Sequence, residues 1–318
     1  MYRDKVVAAV VPAYNEEHHI SSVIKTMPDF VDHIVVVDDA STDRTGEVAQ
    51  GMQDPRVTLI RHETNQGVGG AIIAGHRKAI EVDADIAVVM AGDAQMDPTY
   101  LPDLLDPIVE GRSDFTKANR FYSVDSLRGM PRHRIVGNIV LSFLTKLASG
   151  YWHMVDPQNG YTAITRTMLE RLPLDRISEG YQYENDLLIH MNVLEARLLD
   201  VPIPARYGEE VSGIRLRRVI PTMLSLLFRG FWRRIFWKYV LWSFSPVALF
   251  LFAGLLLTAW GVGFGIWVIV QTLGEPEAST GTVILSVVPF IIGVQFLIFF
   301  LVLDIQESRR LELNPGTR

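Results

Sequence analysis

Met90-Ala-Gly-Asp-Ala-Gln-Met-Asp-Pro98 follows an apolar run, Ile86 to Val89, that reads as a buried strand, and its Asp97-Pro98 opens the next helix. The segment therefore lies at a strand's carboxyl end, the edge of an open α/β sheet where ligands bind. It sets a carboxylate, Asp93, and an amide oxygen, Gln95, two residues apart. Hard oxygen donors with no Cys or clustered His nearby suit Mg²⁺ or Mn²⁺ held jointly with a substrate's phosphates. The plainer reading gives Asp93 and Asp97 to the turn and the helix cap, so the neighbouring segments have to decide.

Upstream, Val6 to Val11, His33 to Val37 and Val57 to Arg61 are β-rich apolar runs. The first is followed by Pro12-Ala-Tyr-Asn-Glu-Glu17 and the second by Asp38-Asp39-Ala-Ser-Thr-Asp43, with a helix expected from Thr42. The third precedes Asn65-Gln-Gly-Val-Gly-Gly-Ala71 and a helix through about Ile80. Downstream come a helix from Tyr100 to Glu110 and a fifth strand from Phe115 to Ala118. Short apolar strands alternating with helices predict a mostly parallel sheet covered on both faces. Three acid-bearing loops, 12–17, 38–43 and 91–97, then converge on one sheet edge and make a site. The glycine segment is neither Gly-x-Gly-x-x-Gly nor a Walker loop. It admits close backbone approach to a ligand or caps a helix. Without a phosphate cradle, a diphosphate bound here needs a metal and basic side chains.

Hydrophobic residues make up 48% of the 318 positions, with the excess after residue 238, and the formal net charge is −6. That charge disfavours a general nucleic-acid binder. The absence of cysteine excludes disulfides and thiolate metal sites. Met1-Tyr-Arg-Asp-Lys5 runs straight into a strand pattern, so no signal peptide is expected.

Together Pro12-Ala-Tyr-Asn-Glu-Glu17, Val37-Asp-Asp-Ala-Ser-Thr-Asp43, Asn65-x-Gly67 and Gly92-Asp93-Ala-Gln95 resemble the family 2 glycosyltransferases of GT-A fold, and within them the dolichyl- and polyprenyl-phosphate sugar synthases. The resemblance covers roughly residues 5–215. It implies a donor pocket lined by Pro12, Tyr14 and Glu16, with Asp38 and Asp39 near base and ribose. Gly92, Asp93 and Gln95 would meet the donor diphosphate, Asp93 and Gln95 through the metal. Such synthases carry an acid two residues before the metal Asp, where this chain has Ala91. The resemblance further implies that Arg120, in Lys-Ala-Asn-Arg, meets donor phosphate, and that Arg132 or Arg134 meets acceptor phosphate. Glu184 and Asp186 open a helix running to about Ala196. They are either first-turn acids favoured by the helix dipole or acids facing the acceptor, where many family members keep a catalytic Asp. Arg206 with Ser212 resembles a segment that closes over donor phosphates, although Gly213 replaces the usual Lys and Arg215 is its substitute. Asp156 to Tyr161 reads as a turn-rich loop ahead of another short strand.

From Ile214 to Trp242 the composition changes: arginines and Lys238 are interleaved with Phe and Trp, which reads as an interfacial amphipathic segment. Pro221 is expected to break it into two in-plane helices. Tyr239 to Gly274 carries no charge, more than the ~20 residues a bilayer crossing needs, with the crossing near Val247 to Val270. A short outside loop, 271–281, precedes a second span from Thr282 to Leu303 and a polar tail, 304–318. Basic residues flank both outer ends and are missing from the loop, so both termini are expected in the cytoplasm, on the cell membrane. The division is thus a catalytic domain at 1–213, juxtamembrane helices at 214–238 and two crossings at 239–303.

These readings predict a membrane-anchored inverting glycosyltransferase that moves one sugar from a nucleotide diphosphate donor (UDP favoured, GDP open) to polyprenyl or dolichyl phosphate, using Mg²⁺ or Mn²⁺. Its partners are the donor, the lipid acceptor and the bilayer, with self-association open and no nucleic acid. A processive polysaccharide synthase is the rival enzyme class, but the chain has no Gln-x-x-Arg-Trp motif and two crossings are too few for a polymer channel. A non-catalytic scaffold with a degenerate domain would rest on Ala91 alone.

Overall fold

The computed structural model describes residues 1–121, 132–204, 216–273 and 278–313, without the side chains of 132–136, 216–218 and 312–313. In chain order the elements are β1 (Val7–Ala13), α1 (Ile20–Thr26), β2 (His33–Asp38), α2 (Thr45–Gln50), β3 (Val57–Arg61), α3 (Gly67–Glu81), β4 (Ile86–Val89), α4 (Leu101–Val109), β5 (Phe115–Asn119), α5 (Arg132–Ser149), β6 (Thr162–Thr165), α6 (Arg166–Arg171), α7 (Tyr183–Val193), β7 (Leu198–Pro202), α8 (Leu216–Arg234), α9 (Pro246–Thr272) and α10 (Thr280–Leu313). They form two compact units, Met1–Phe231 with the chain from Arg310, and Trp232–Arg309.

The first unit is built on a seven-stranded sheet of order β3-β2-β1-β4-β6-β5-β7. All pairings are parallel except those of β6, which runs antiparallel to both β4 and β5. β1 is central and apolar on both sides because both sides are covered. Val7, Ala9, Val11 and Ala13 face one helical layer with Ile20, Ile24, Leu101 and Leu104. Ala8 and Val10 face the other, with Ile72, Met168, Leu187 and Leu188. The period-2 alternation of a strand thus feeds two cores at once. Gly75 on α3 abuts Val10, and that contact leaves no room for a larger side chain.

Several boundaries move. β1 continues through Pro12 to Ala13, and α2 begins at Thr45 rather than Thr42, because Asp43 caps it by accepting the Thr45 amide at 2.9 Å. Pro98–Tyr100 is a single 3₁₀ turn ahead of α4. The 18-residue helix α5 was not expected from the sequence, and the short strand expected after Tyr161 is β6, whose antiparallel direction was not. Pro221 does not divide the juxtamembrane segment; α8 runs through it without a break. Pro221 lies only a turn inside the helix, so its missing N–H costs one backbone bond near an end that is already short of partners. The change of geometry falls later, in wide π-helical turns from Ile235 to Trp242, before Ser245 caps α9 and Pro246 takes its first position.

In the second unit, α9 and α10 are both long and apolar enough to cross a membrane. Glycines let them approach: a Cβ on Gly261 would sit 2.6 Å from the Phe290 Cβ, and one on Gly293 would sit 2.5 Å from the Thr258 amide. Such small-residue seams replace the hydrophobic drive that lipid cannot supply. Arg234, expected to face the interface, is fully buried at 0% exposure, as is Asp304. The guanidinium donates to both carboxylate oxygens at 2.6 and 3.1 Å, and the Tyr239 hydroxyl donates to the same group at 2.7 Å. Lys238 is also buried, 3.9 Å from Glu307. Asp304→Leu should therefore strand a buried guanidinium and cost about 3–5 kcal/mol, whereas Arg234→Met with Asp304→Leu should recover most of that loss. Thermal unfolding in detergent reads both; a single variant as stable as the parent would deny the pair its clamping role.

Candidate active site

The sheet order places β2, β1 and β4 side by side, so the loops leaving their carboxyl ends are neighbours. The first two are stitched together. The amides of Asn15, Glu16 and Glu17 donate to Ser41 Oγ (3.0 Å), Thr45 Oγ1 (2.7 Å) and Asp43 Oδ2 (3.1 Å), and Asn15 Oδ1 accepts the Thr42 amide at 2.8 Å. Asn15 takes the left-handed conformation, φ 59°, which Asn tolerates better than most residues.

Asp38 and Asp39 serve different ends. Asp38 is buried, accepts the Ser41 amide at 2.9 Å, and holds its second oxygen 3.4 Å from Arg61 Nε. Gly46 makes room for it, since a Cβ there would lie 2.5 Å from Asp38 Oδ2. Asp39 accepts the Gln66 amide on Oδ1 and the Gly67 amide on Oδ2, each at 2.8 Å, and lies 2.7 Å from His62 Nδ1. A carboxylate at those amides satisfies orphan donors and complements the dipole of α3. Both acids are thus engaged in shaping the loops that the sequence reading gave them for binding.

Between these loops and α3 opens a cavity of about 380 Å³, lined by Pro12, Tyr14, Asp39, Asn65, Gly67 and Tyr181 among others. Its size is that of a small-molecule site. Tyr14 and Tyr181 stand exposed at it. The glycine run explains Tyr181's presence. A Cβ on Gly69 would meet the Glu179 and Ser178 carbonyl oxygens at 2.6 and 2.7 Å, and the Gly70 amide donates to Glu179 O at 2.9 Å. The glycines therefore admit another stretch of this chain, and Gly67, at φ 84°, also lines the cavity.

The Asp93 loop borders the same wall. Gly92 donates its amide to Pro12 O at 3.1 Å, and a Cβ on it would meet the Ala13 Cβ at the same distance. Asp93 Oδ1 accepts the Gln95 amide at 3.0 Å across Ala94, whose φ is 59°. Asp97 caps the 3₁₀ turn through the Thr99 amide, and its carbonyl accepts from the Tyr161 hydroxyl at 3.0 Å. Among the described residues no group of three or more His, Cys, Asp and Glu is placed to hold a metal. Asp93 and Gln95 offer one carboxylate and one amide oxygen. That set fits an octahedral ion completed by substrate oxygens and water, as Mg²⁺ commonly is.

Arg120 departs from expectation. Its fork is given to Asp156, Nε to Oδ2 at 2.7 Å and the second arm to Oδ1 at 3.1 Å, instead of standing clear for phosphate. Lys117 is 1% exposed and donates to the Asn159 carbonyl. Burial pushes its ammonium down, while Glu184, Asp156 and Asp200 hold it up. Burial likewise pushes the Glu184 carboxyl up, with Lys117 opposing. Asp186 is buried and accepts the Ser178 amide at 3.0 Å, which anchors the stretch packed on the glycines. Glu184 thus belongs with the charge cluster and Asp186 with the pocket wall. Lys117, Asp156, Asp200 and Tyr181 were not singled out in advance. The available signal was a lysine in the middle of a short strand expected within the sheet, where a charge needs a buried partner. The side chains of Arg132 and Arg134, and Arg206, Ser212 and Arg215 entirely, lie outside the described residues.

Burial raises Asp200 to about 6, against the Val155 amide and the charge of Lys117. A carboxyl raised above its unfolded value, ~3.9, contributes stability that is present below that value and lost as pH rises through about 6. The thermal midpoint of the parent relative to Asp200→Asn should accordingly fall between about pH 4 and pH 6 and level off above. A flat difference across that window would contradict the assignment.

The family model described as Glycosyl transferase family 2 matches residues 8–172. The chain is 32% identical over 221 residues to the UDP-N-acetylglucosamine–dolichyl-phosphate N-acetylglucosaminyltransferase of Methanococcus voltae, across 65% of this chain and 88% of the relative. It is 31% identical over 202 residues to the undecaprenyl-phosphate mannosyltransferase of Micrococcus luteus, across 62% and 82%. Among solved structures, glucosyl-3-phosphoglycerate synthase of Mycobacterium tuberculosis in complex with Mn²⁺, UDP-glucose and phosphoglyceric acid aligns with a TM-score of 0.54 at 26% identity, covering 71% of this chain and 80% of that one. Motifs, sheet order and these matches agree: the chain belongs to glycosyl transferase family 2 and is a glycosyltransferase of GT-A fold.

Proposed function

We propose that this glycosyltransferase moves a single sugar from a nucleotide diphosphate donor, UDP-linked by preference, to a polyprenyl or dolichyl phosphate at the cytoplasmic face of the cell membrane, with inversion at the anomeric carbon. The observation that carries the reading is the wall shared by the cavity at Pro12 and Tyr14 and the loop bearing Asp93, joined at Gly92. Two relatives that act on isoprenoid phosphates supply the acceptor class. The two apolar helices supply the anchor.

In this reading the nucleoside enters beside Tyr14 and Tyr181, and the diphosphate passes Gly92 toward Asp93 and Gln95. Those two residues would hold Mg²⁺ or Mn²⁺, which when bound neutralises charge on the departing nucleoside diphosphate. The acceptor phosphate has a second pKa near ~6 and is largely anionic at neutral pH, so no strong base is required. Its oxygen forms the new bond to the anomeric carbon while the bond to the diphosphate breaks. Asp186 then acts by fixing the 178–181 wall, and Asp156 by aiming Arg120, whose charge acts with those of Arg132 or Arg134 and of Arg206 against the repulsion of two anions.

Purified protein given polyprenyl phosphate and a panel of radiolabelled nucleotide sugars should yield a chloroform-extractable labelled lipid. Chelator, or Asp93→Ala, should cut turnover on the order of 10²-fold or more. Label in water-soluble polymer would instead identify a processive synthase. Gly69→Ala should push the Glu179 and Ser178 carbonyls from α3 and move Tyr181 with them. It should raise the donor KM several-fold with a smaller change in kcat, as steady-state kinetics would read; an unchanged KM would remove that wall from the donor site.

A further inference from the structure

Lys117 is a buried cation that the reaction proposed above does not use. It alternates along β5 with Phe115, which lies in a core cluster with Ile72, Leu187 and Leu188. Taking an ammonium out of water is costly, and an apolar residue would fill such a place without that cost. A buried cation retained beside a carboxylate, here Glu184, marks a candidate for function.

The ammonium does not face a substrate. The void beside it, lined by Gly160, Thr162 and Glu184 among others, measures about 10 Å³, room for one water at most. Lys117 donates instead to the Asn159 carbonyl, inside the turn that leads from Asp156 to Tyr161. That turn supports the loop carrying Asp93 and Gln95. A Cβ on Gly160 would lie 3.5 Å from Met96 Cε, and Met96 Sδ accepts the Ala91 amide at 3.2 Å. Tyr161 donates its amide to Asn159 Oδ1 and its hydroxyl to the Asp97 carbonyl, each at 3.0 Å. The loop therefore rests on the turn at Met96 and Asp97, and Met96 carries the hold back to Ala91. Ala94, between Asp93 and Gln95, sits in the left-handed region at φ 59°. A residue other than glycine persists there only where its surroundings fix it.

We propose that Lys117 is a positioning residue for the transfer: through the Asn159 carbonyl it holds the 156–161 turn against Met96 and Asp97, and so fixes how Asp93 and Gln95 are presented to the metal. This rests on the reading above that gives Asp93 and Gln95 to Mg²⁺ or Mn²⁺. The cavity at Tyr14 and Asp39 is lined by other segments, with no residue of the turn among them. Loss of Lys117 should therefore weaken the metal and spare the nucleotide.

Lys117→Met replaces the ammonium by an apolar group of similar length, and Lys117→Arg keeps a donor for the carbonyl. Tyr161→Phe removes only the hydroxyl through which the turn reaches Asp97. The full chain in detergent, parent and variants, would be titrated with Mn²⁺ in excess UDP by electron paramagnetic resonance, and with UDP in chelator by calorimetry. Lys117→Met should raise the Mn²⁺ dissociation constant about tenfold or more, the range for a lost supporting contact. UDP affinity in chelator should be unchanged. The thermal midpoint should stay near the parent's, because burial already pushes the Glu184 carboxyl toward its neutral form. Lys117→Arg should recover most of the Mn²⁺ affinity, and Tyr161→Phe should weaken it to a smaller degree. If Lys117→Met does not fold, Tyr161→Phe decides, and parent affinity there overturns the proposal. Mn²⁺ binding by the parent that both Lys117→Met and Tyr161→Phe leave intact overturns it as well, with the metal reading still standing. A fall of UDP affinity and thermal midpoint together with Mn²⁺ affinity would make Lys117 merely structural, which also overturns it. No Mn²⁺ binding by the parent removes the metal reading and the proposal with it.

Discussion

The Asp39 carboxylate accepts the two amides that open α3, and the candidate donor pocket depends on that contact. It fixes the point at which a glycine-rich helix starts, and the pocket wall follows from there. Gly67 and Val68 face the cavity, while Gly69 and Gly70 accept the backbone of 178–180 against them. Tyr181 is thereby delivered opposite Tyr14 from more than a hundred residues away in sequence. A single acid at a helix terminus thus anchors the wall on which Tyr181 is carried. The same acid also binds the loops after β2 and β3 together through His62 and Asn65.

The interior beyond β4 obeys a different constraint, that buried charge must be compensated. Lys117 enters on β5, every residue of which is buried, and the nearby carboxylates of Glu184, Asp156 and Asp200 make its charge tolerable. Asp156 is shared, because it also takes the whole fork of Arg120. The turn at 156–160 is thus held from both sides, by Lys117 on the Asn159 carbonyl and by Arg120 on Asp156. Tyr161 then reaches the Asp97 carbonyl. Electrostatic compensation in the core is therefore mechanically continuous with the loop that carries Asp93 and Gln95.

Several strand runs were legible in the sequence: Val57 to Arg61 and Ile86 to Val89 coincide with β3 and β4. The convergence of the loops at 12–17, 38–43 and 91–97 was legible too, because it follows from strand polarity alone. What escaped depended on contacts distant in sequence. Antiparallel β6 has only four residues and no local mark of its direction. That Asp39 and Asp186 also hold backbone was not legible, since nothing in the sequence reveals that the amides of Gly67 and Ser178 lie beside them. Arg234 and Lys238 looked interfacial for the same reason: an arginine's partner 70 residues on cannot be read from composition. Lys117 was the exception, a charge in the middle of an expected strand whose need for a partner could have been inferred.

The proposed reaction has to bring a diphosphate and a phosphate monoester together, so its main obstacle is repulsion between anions. A chain of net charge −6 can meet that obstacle only by segregating its cations. The acids are concentrated around the sheet loops and in the compensated cluster, whereas α5 and α8 have none. Arginines at the start of α5 then precede, on the same helix, residues such as Phe143 that are apolar and exposed. A polyprenyl phosphate, the acceptor proposed above, has that same polarity, a charged head on an apolar tail.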